Sequence, residues 1–385
     1  MRQVYADNAA TTAMDDRVIE AMLPFMRDHY GNPSSVHKHG RTVRTAIEKA
    51  RKKVAELLHA SPSEIIFTSG GTEADNTALL CTIASYGIQH VISSPIEHHA
   101  VLHPLELMAK RGQITLHLLQ VDQQGRISLA ELEQLLKTYP NALVSLMHGN
   151  NEIGNLLPIE EVAACCKTYG AFFHSDTVQT MGHYPHDLSQ LPVDALAAGA
   201  HKFHGPKGAG FLFLRKDKKI TPFLHGGAQE RNMRGGTENV IGIVGVAKAL
   251  EIAYEEMTAH QTHIQQLKKT FIEQLRAAIP GVKFNGLSAS ETESLYTVLS
   301  VSLPPAASLA GMLLFQLDLH GISASGGSAC SSGASVGSHV LRAIGHPAER
   351  EAVRFSFSRF TSMEDIHYMV DVLSKLYMPE NVSIK

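Results

Sequence analysis

Cysteine is scarce in this chain. Its four residues in 385, Cys81, Cys165, Cys166 and Cys330, include no C-x-x-C pair, which excludes a disulfide framework and a structural zinc site and leaves each as a free thiol. Charge of one sign is lacking too. With 34 basic and 37 acidic residues and a formal net charge of -3, neither sign forms long blocks, so no nucleic-acid-binding stripe or polybasic membrane patch is expected. No run approaches the roughly 20 apolar residues of a membrane span, and Met1-Arg2-Gln3-Val4-Tyr5-Ala6-Asp7 has no apolar signal core. The expectation is a cytoplasmic protein with neither nucleic acid nor membrane as a partner.

What the chain does have is length, with 44% apolar residues, enough for two cores and hence two domains. It is also rich in histidine, with 22 residues. Pairs such as His37/His39, His98/His99 and His201/His204 invite a metal reading, but no H-E-x-x-H occurs and no carboxylate or cysteine stands at ligand spacing, so no metal is expected.

Strand and helix patterns alternate through the first 260 residues. The runs Glu64–Thr68, His90–Ser93, Ala142–Leu146, Ala171–His174, Asp194–Ala198 and Phe211–Leu214 read as short buried strands. A helix with Val43, Ile47, Ala50 and Val54 on one face precedes the first, and another over 74–83 follows it. This alternation predicts a mostly parallel sheet covered by helices. His98, Asn151, Asp176, Gln179 and Lys202 fall just past the carboxyl ends of their strands, where open α/β sheets bind ligands.

Lys202 opens the Gly/Pro-punctuated loop His201–Gly210 between two apolar runs. Desolvation there would favour a neutral amine able to condense with an aldehyde; an ordinary solvated lysine is the alternative. Ser69-Gly70-Gly71-Thr72-Glu73 turns from strand into helix, exposing backbone N–H groups and a hydroxyl to a phosphate. A capped glycine turn would have the same composition. The turn matches neither G-x-G-x-x-G nor the P-loop, which favours a single phosphomonoester over a nucleotide. A second Gly/Arg-rich loop, Arg231–Thr237, also suits an anion. Residues 321–338 contain twelve Gly or Ser among eighteen, so this segment is expected to pack no core and to be mobile. Cys330 at its middle is expected to be reactive. Alternation over Val353–Ser358 predicts a half-buried strand carrying Arg354, whose fork suits a carboxylate.

Ten segments taken together resemble one family. They are Asp7–Thr12, Gly31–Ser35, Phe67–Glu73, Glu97-His98, His148–Gly154, Asp176–Gln179, His201–Gly210, Arg234–Thr237, Gly327–Cys330 and Arg354–Ser356. In that order they are similar to the cysteine desulfurases of the NifS/IscS type, within the class V aminotransferase group of pyridoxal-phosphate (PLP) enzymes. The resemblance implies the aspartate-aminotransferase type I fold: a large PLP domain over 15–257 with a mostly parallel seven-stranded sheet, and a smaller α+β domain over 258–385 completed by residues 1–14. It implies that Lys202 holds PLP and moves the Cα proton, that Asp176 pairs with the ring nitrogen, and that His98 stacks on the ring as acid and base. Asn151 and Gln179 would bond the ring oxygen. Gly71, Thr72, His201 and, from the other subunit of a homodimer, Thr237 would hold the phosphate. Asn32 and Arg354 would clamp the carboxylate of L-cysteine, and Cys330 would take the sulfur as a persulfide for an iron-sulfur scaffold or thiolation acceptor. Selenocysteine lyase or a class V aminotransferase on the same scaffold is the alternative. Two departures stand out: Gly199 replaces a serine common in relatives, and the tail beyond Arg354 is short. The segment around Cys330 is of the long, group I kind.

Overall fold

The computed structural model describes residues 2–306, 309–326 and 337–377. Among these, twelve strands form three sheets: β1 (Val4–Tyr5), β2 (Ile65–Thr68), β3 (His90–Ser93), β4 (Thr115–Leu118), β5 (Leu143–Ser145), β6 (Phe172–Asp176), β7 (Ala195–Gly199), β8 (Gly210–Leu214), β9 (Lys283–Phe284), β10 (Val298–Leu303), β11 (Ile322–Ser323) and β12 (Glu351–Ser356). The largest sheet has seven strands in the order β2-β8-β7-β6-β5-β3-β4. Only β8 runs against its neighbours, so the expected mostly parallel sheet is borne out. Because β2 and β7 both oppose β8, six strands point the same way and release their loops at one edge.

Both faces of this sheet are buried, which the strands' near-continuous apolar runs require. Phe173, Leu196, Phe211 and Phe213 pack on one side with Ile47, Val54 and the Val240–Glu255 helix; Phe172 and Leu212 pack on the other with Ala74, Leu79 and Val101. Successive residues such as Phe172 and Phe173 thus serve opposite cores, as the two-residue period of a strand dictates. The helix after the glycine turn starts at Gly71, three residues earlier than its apolar pattern suggests, and runs through a π-helical turn at Thr77–Cys81 to Tyr86.

A second core joins both chain ends. Val4 and Ala6 pack with Ile264, Phe271, Leu299 and Phe355, and the sheet β12-β10-β9 is antiparallel. The expectation of a coreless segment over 321–338 is corrected at its start. Ile322 is 1% exposed and β11 pairs in parallel with β1. One apolar side chain with ladder partners outweighs the Gly/Ser composition around it. Residues 327–336, with Cys330 and the expected mobility, lie outside the described residues. No helix among the described residues is long and apolar enough to cross a membrane.

Candidate active site

The common edge of the large sheet opens on a cavity of about 210 Å3. Nine of the twelve residues singled out above line it: Gly71, Thr72, His98, Asn151, Asp176, Gln179, His201, Lys202 and Arg354. Lys202 closes a 3-10 turn, Ala200–Lys202, directly after β7. Its Nζ donates to the carbonyls of Ala9 (2.5 Å) and Ala10 (2.8 Å), so the N-terminal turn holds the amine at the cavity. Ala9 O also accepts from Gln179 Nε2 at 3.0 Å.

Asp176 ends β6 and is 5% exposed. Burial pushes its carboxyl up to about 6, opposed by the Val178 N–H and the charge of Lys202. At neutral pH it is the anion facing the cavity. His98 caps the His99–Lys110 helix, its Nδ1 accepting from Ala100 N at 3.1 Å. The ring proton therefore sits on Nε2. Burial, then the Lys202 charge, pushes His98 down to about 4, and the ring is neutral. His201 is likewise pushed down to about 4 by burial and by Lys202, and its Nδ1 lies 3.2 Å from Thr11 Oγ1.

Gly71 stands where a side chain does not fit. A Cβ there would lie 2.5 Å from Val178 Cγ2, so the glycine lets the start of the helix come against the cavity wall. Gly199 differs, since a Cβ would meet Gly71 N at 3.4 Å and His201 Cδ2 at 3.6 Å. These are ordinary contacts, so a Cβ fits there.

Two of the singled-out residues do not line the cavity within this chain. Asn32 is exposed, its Oδ1 accepting from Ser34 N at 2.9 Å, and it is not among the residues that line the cavity. Thr237 lines a separate depression with Thr68, Ser69 and Gly208. Cys330 lies outside the described residues.

Sequence reading missed four contributors. The Ala9 and Ala10 carbonyls and the Asp7 carboxylate arrive from the N-terminal turn; Asp7 Oδ1 accepts from Arg354 Nη2 at 2.8 Å, and nothing local signals a contact 347 residues away. Asp75 also lines the cavity, with Oδ1 3.3 Å from His174 Nε2. Burial first, then Asp176 and Glu97, push its carboxyl well up. Asp75 stands three residues after Thr72 on the same helix, a spacing that shares a face, so this one was findable.

The other thiols do not suit nucleophilic work. Burial pushes Cys81 up to about 11 and raises Cys165 and Cys166 as well, and the thiolate is the reactive form. Among the described residues no group of three or more His, Cys, Asp or Glu is placed to hold a metal.

Residues 4–369 match the family model "Aminotransferase class-V". The chain is 43% identical over 380 residues to "Cysteine desulfurase IscS" of Dictyoglomus turgidum, covering 97% of this chain and 94% of the relative. It is 41% identical to "Putative cysteine desulfurase IscS 1" of Bacillus subtilis, over 98% of this chain and all of the relative (100%). Among solved structures it is similar to a "NIFS-like protein", with a TM-score of 0.89, 38% identity and coverage of 97% of this chain and 99% of that one. It is also similar to "SspA in complex with cysteine", with a TM-score of 0.80, 29% identity and coverage of 94% and 100%. With the cavity's residues at the loop positions that the fold prescribes and a match over nearly its whole length, the chain belongs to the class-V aminotransferase family.

Proposed function

We infer that the protein is a PLP-dependent cysteine desulfurase, converting L-cysteine to L-alanine and taking the sulfur onto Cys330. The observation that carries this reading is the meeting of Lys202, Asp176 and His98 in one cavity, in a chain whose relatives bear that name. The residues present fit PLP. The first turn of the helix lines the cavity at Gly71 and Thr72, where backbone N–H groups suit a phosphate, and a buried carboxylate and an amine line the same cavity. When bound, PLP supplies an electron sink for the substrate's Cα.

The chain's own residues do the rest. Lys202 Nζ would hold the cofactor at its aldehyde carbon and would carry the Cα proton. Asp176 would pair as an anion with the ring nitrogen, while burial and the neighbouring acids push the carboxyl of Asp75 well up. His98 offers Nε2–H as a donor from a neutral ring. Thr72, His201 and the Gly71 N–H would hold the phosphate, and Asn151 and Gln179 would hold the ring oxygen. Arg354 binds the substrate carboxylate through charge-assisted hydrogen bonds. Cys330 attacks the substrate sulfur as a thiolate: the C–S bond breaks, an S–S bond forms, Cβ gains a proton, and alanine leaves a persulfide behind.

We propose further that the enzyme is a cytoplasmic homodimer in which Thr237 completes the partner's phosphate site. Supporting this, Thr237 lies away from its own cavity, and Met26, Tyr30 and Val36 are 59%, 77% and 82% exposed, an apolar stretch that a monomer would leave in water. Two units, 15–257 and 258–385 with 1–14, are supported by the separate cores and by the break at Glu256 between two long helices. The persulfide is passed on to an iron-sulfur scaffold or thiolation acceptor.

Incubation with L-cysteine should yield alanine, and mass spectrometry should find added sulfur at Cys330. The Cys330→Ala variant should bind PLP and cysteine yet release no sulfur. Full desulfuration by that variant, or labelling at Cys81, Cys165 or Cys166 instead, would overturn the assignment of Cys330; absence of alanine from the holoenzyme would overturn the activity itself.

A further inference from the structure

Arg354 is 1% exposed, and its backbone is fixed on both sides. It pairs with Ser300 of β10 and bridges Ser325. Its guanidinium makes two contacts: Nη1 donates to Asn151 O at 2.8 Å and Nη2 to Asp7 Oδ1 at 2.8 Å. Nε is buried and has no hydrogen-bond partner among the described residues. An orphaned buried donor is costly, and here it belongs to a side chain that lines the cavity.

Asp7 is not a loose surface acid. It bridges Ser356, two residues beyond Arg354, in parallel register. Next to it, Asn8 Nδ2 donates to Ser356 O at 2.9 Å and Ala9 N to Ser356 Oγ at 2.8 Å. Three successive residues are thereby pinned to β12, and the carboxylate cannot drift relative to the arginine. Arginine recognises a carboxylate through a planar fork, so its orientation matters as much as its charge. A freely turning guanidinium would have to be ordered at each binding event, an entropy cost that a preset one avoids.

We propose that Asp7 is the positioning residue for substrate selection: it holds Nη2 so that the guanidinium of Arg354 keeps one orientation at the cavity wall for an incoming α-carboxylate. Amino acids are thereby chosen over amines that lack the carboxyl group. The proposal rests on the desulfurase reading above, because that reading makes Arg354 the carboxylate clamp.

Two variants separate position from charge. Asp7→Asn keeps an acceptor oxygen in place and removes the charge, whereas Asp7→Glu keeps the charge and displaces the carboxylate by one methylene. The holoenzyme's visible band is titrated with L-alanine, the product, and with ethylamine, the same amine without the carboxylate. In Asp7→Glu the dissociation constant for L-alanine should rise about tenfold or more, with that for ethylamine unchanged and the KM for L-cysteine rising while kcat holds. Asp7→Asn should stay within about threefold of the parent for both probes. A purely structural role would lower the thermal midpoint without changing the ratio of the two constants. An unchanged ratio in Asp7→Glu, tighter L-alanine binding in either variant, or equal losses in both would overturn the proposal. If the parent holoenzyme itself fails to respond to L-alanine and L-cysteine, the desulfurase reading falls instead.

Discussion

Replacing Glu97 by glutamine should make the protein less sensitive to rising pH. Glu97 is 2% exposed, with Oε1 accepting from Met147 N and Ser94 Oγ, both at 3.0 Å, and Oε2 without a hydrogen-bond partner among the described residues. Burial pushes its carboxyl from an ordinary 4.5 up to about 8, against the pull of the two donors and helped by the charge of Asp176. The native protein therefore keeps a proton that the unfolded chain gives up above pH 4.5. Stability from this group is fully present below that value and is lost as pH rises through 8. Each pH unit between the two is worth about 1.4 kcal/mol, so from pH 5 to pH 8 Glu97 removes roughly 4 kcal/mol. Glutamine keeps the Oε1 acceptor and cannot ionise. Urea unfolding of parent and Glu97→Gln at pH 5, 6, 7 and 8 should give a stability difference that moves steadily in the variant's favour. Parallel profiles over that range would show that Glu97 is already ionised in the fold, and the reading of the buried acids would be wrong.

Lys202→Ala should abolish alanine formation and the borohydride-stable lysine adduct of PLP, since this amine alone among the cavity's residues can form it; a persisting adduct in a tryptic map would refute the assignment. Gly71→Ala should weaken PLP binding by about tenfold or more, because its Cβ would lie 2.5 Å from Val178 Cγ2, and adding Val178→Ala should restore most of the affinity in an equilibrium titration. Arg51 and Glu230, both side chains 3% exposed and 2.7 Å apart, tie the loop before Thr237 to β2, where Glu230 also accepts from Phe67 N. Glu230→Ala should cost about 3–5 kcal/mol in urea unfolding by stranding the arginine, and a loss below 1 kcal/mol would rule out a desolvated pair.

Much of the site was legible because its residues sit where one kind of local structure ends and another begins. Strand-to-loop boundaries at Asp176, His98 and Lys202 follow from apolar runs that stop and from Gly or polar residues that cannot continue them, and parallel strands then deliver such boundaries to one edge. The order of motifs along the chain carried the family, and with it the identity of the reaction. Tertiary structure alone decided what depends on the path of the chain between distant points. It sets the antiparallel β8 inside a parallel sheet, packs Ile322 from a Gly/Ser-rich stretch against the N-terminal strand, and brings Asp7 to Arg354. It leaves Asn32 outside the cavity that its motif suggested. It also sets the acids apart, since Asp75, Glu97 and Asp176 are all buried and are told apart by the Val178, Met147 and Ser94 donors and by one nearby lysine. Periodicity and turn chemistry are short-range properties that a sequence states directly, whereas desolvation and contacts across hundreds of residues exist only once the chain has closed around them.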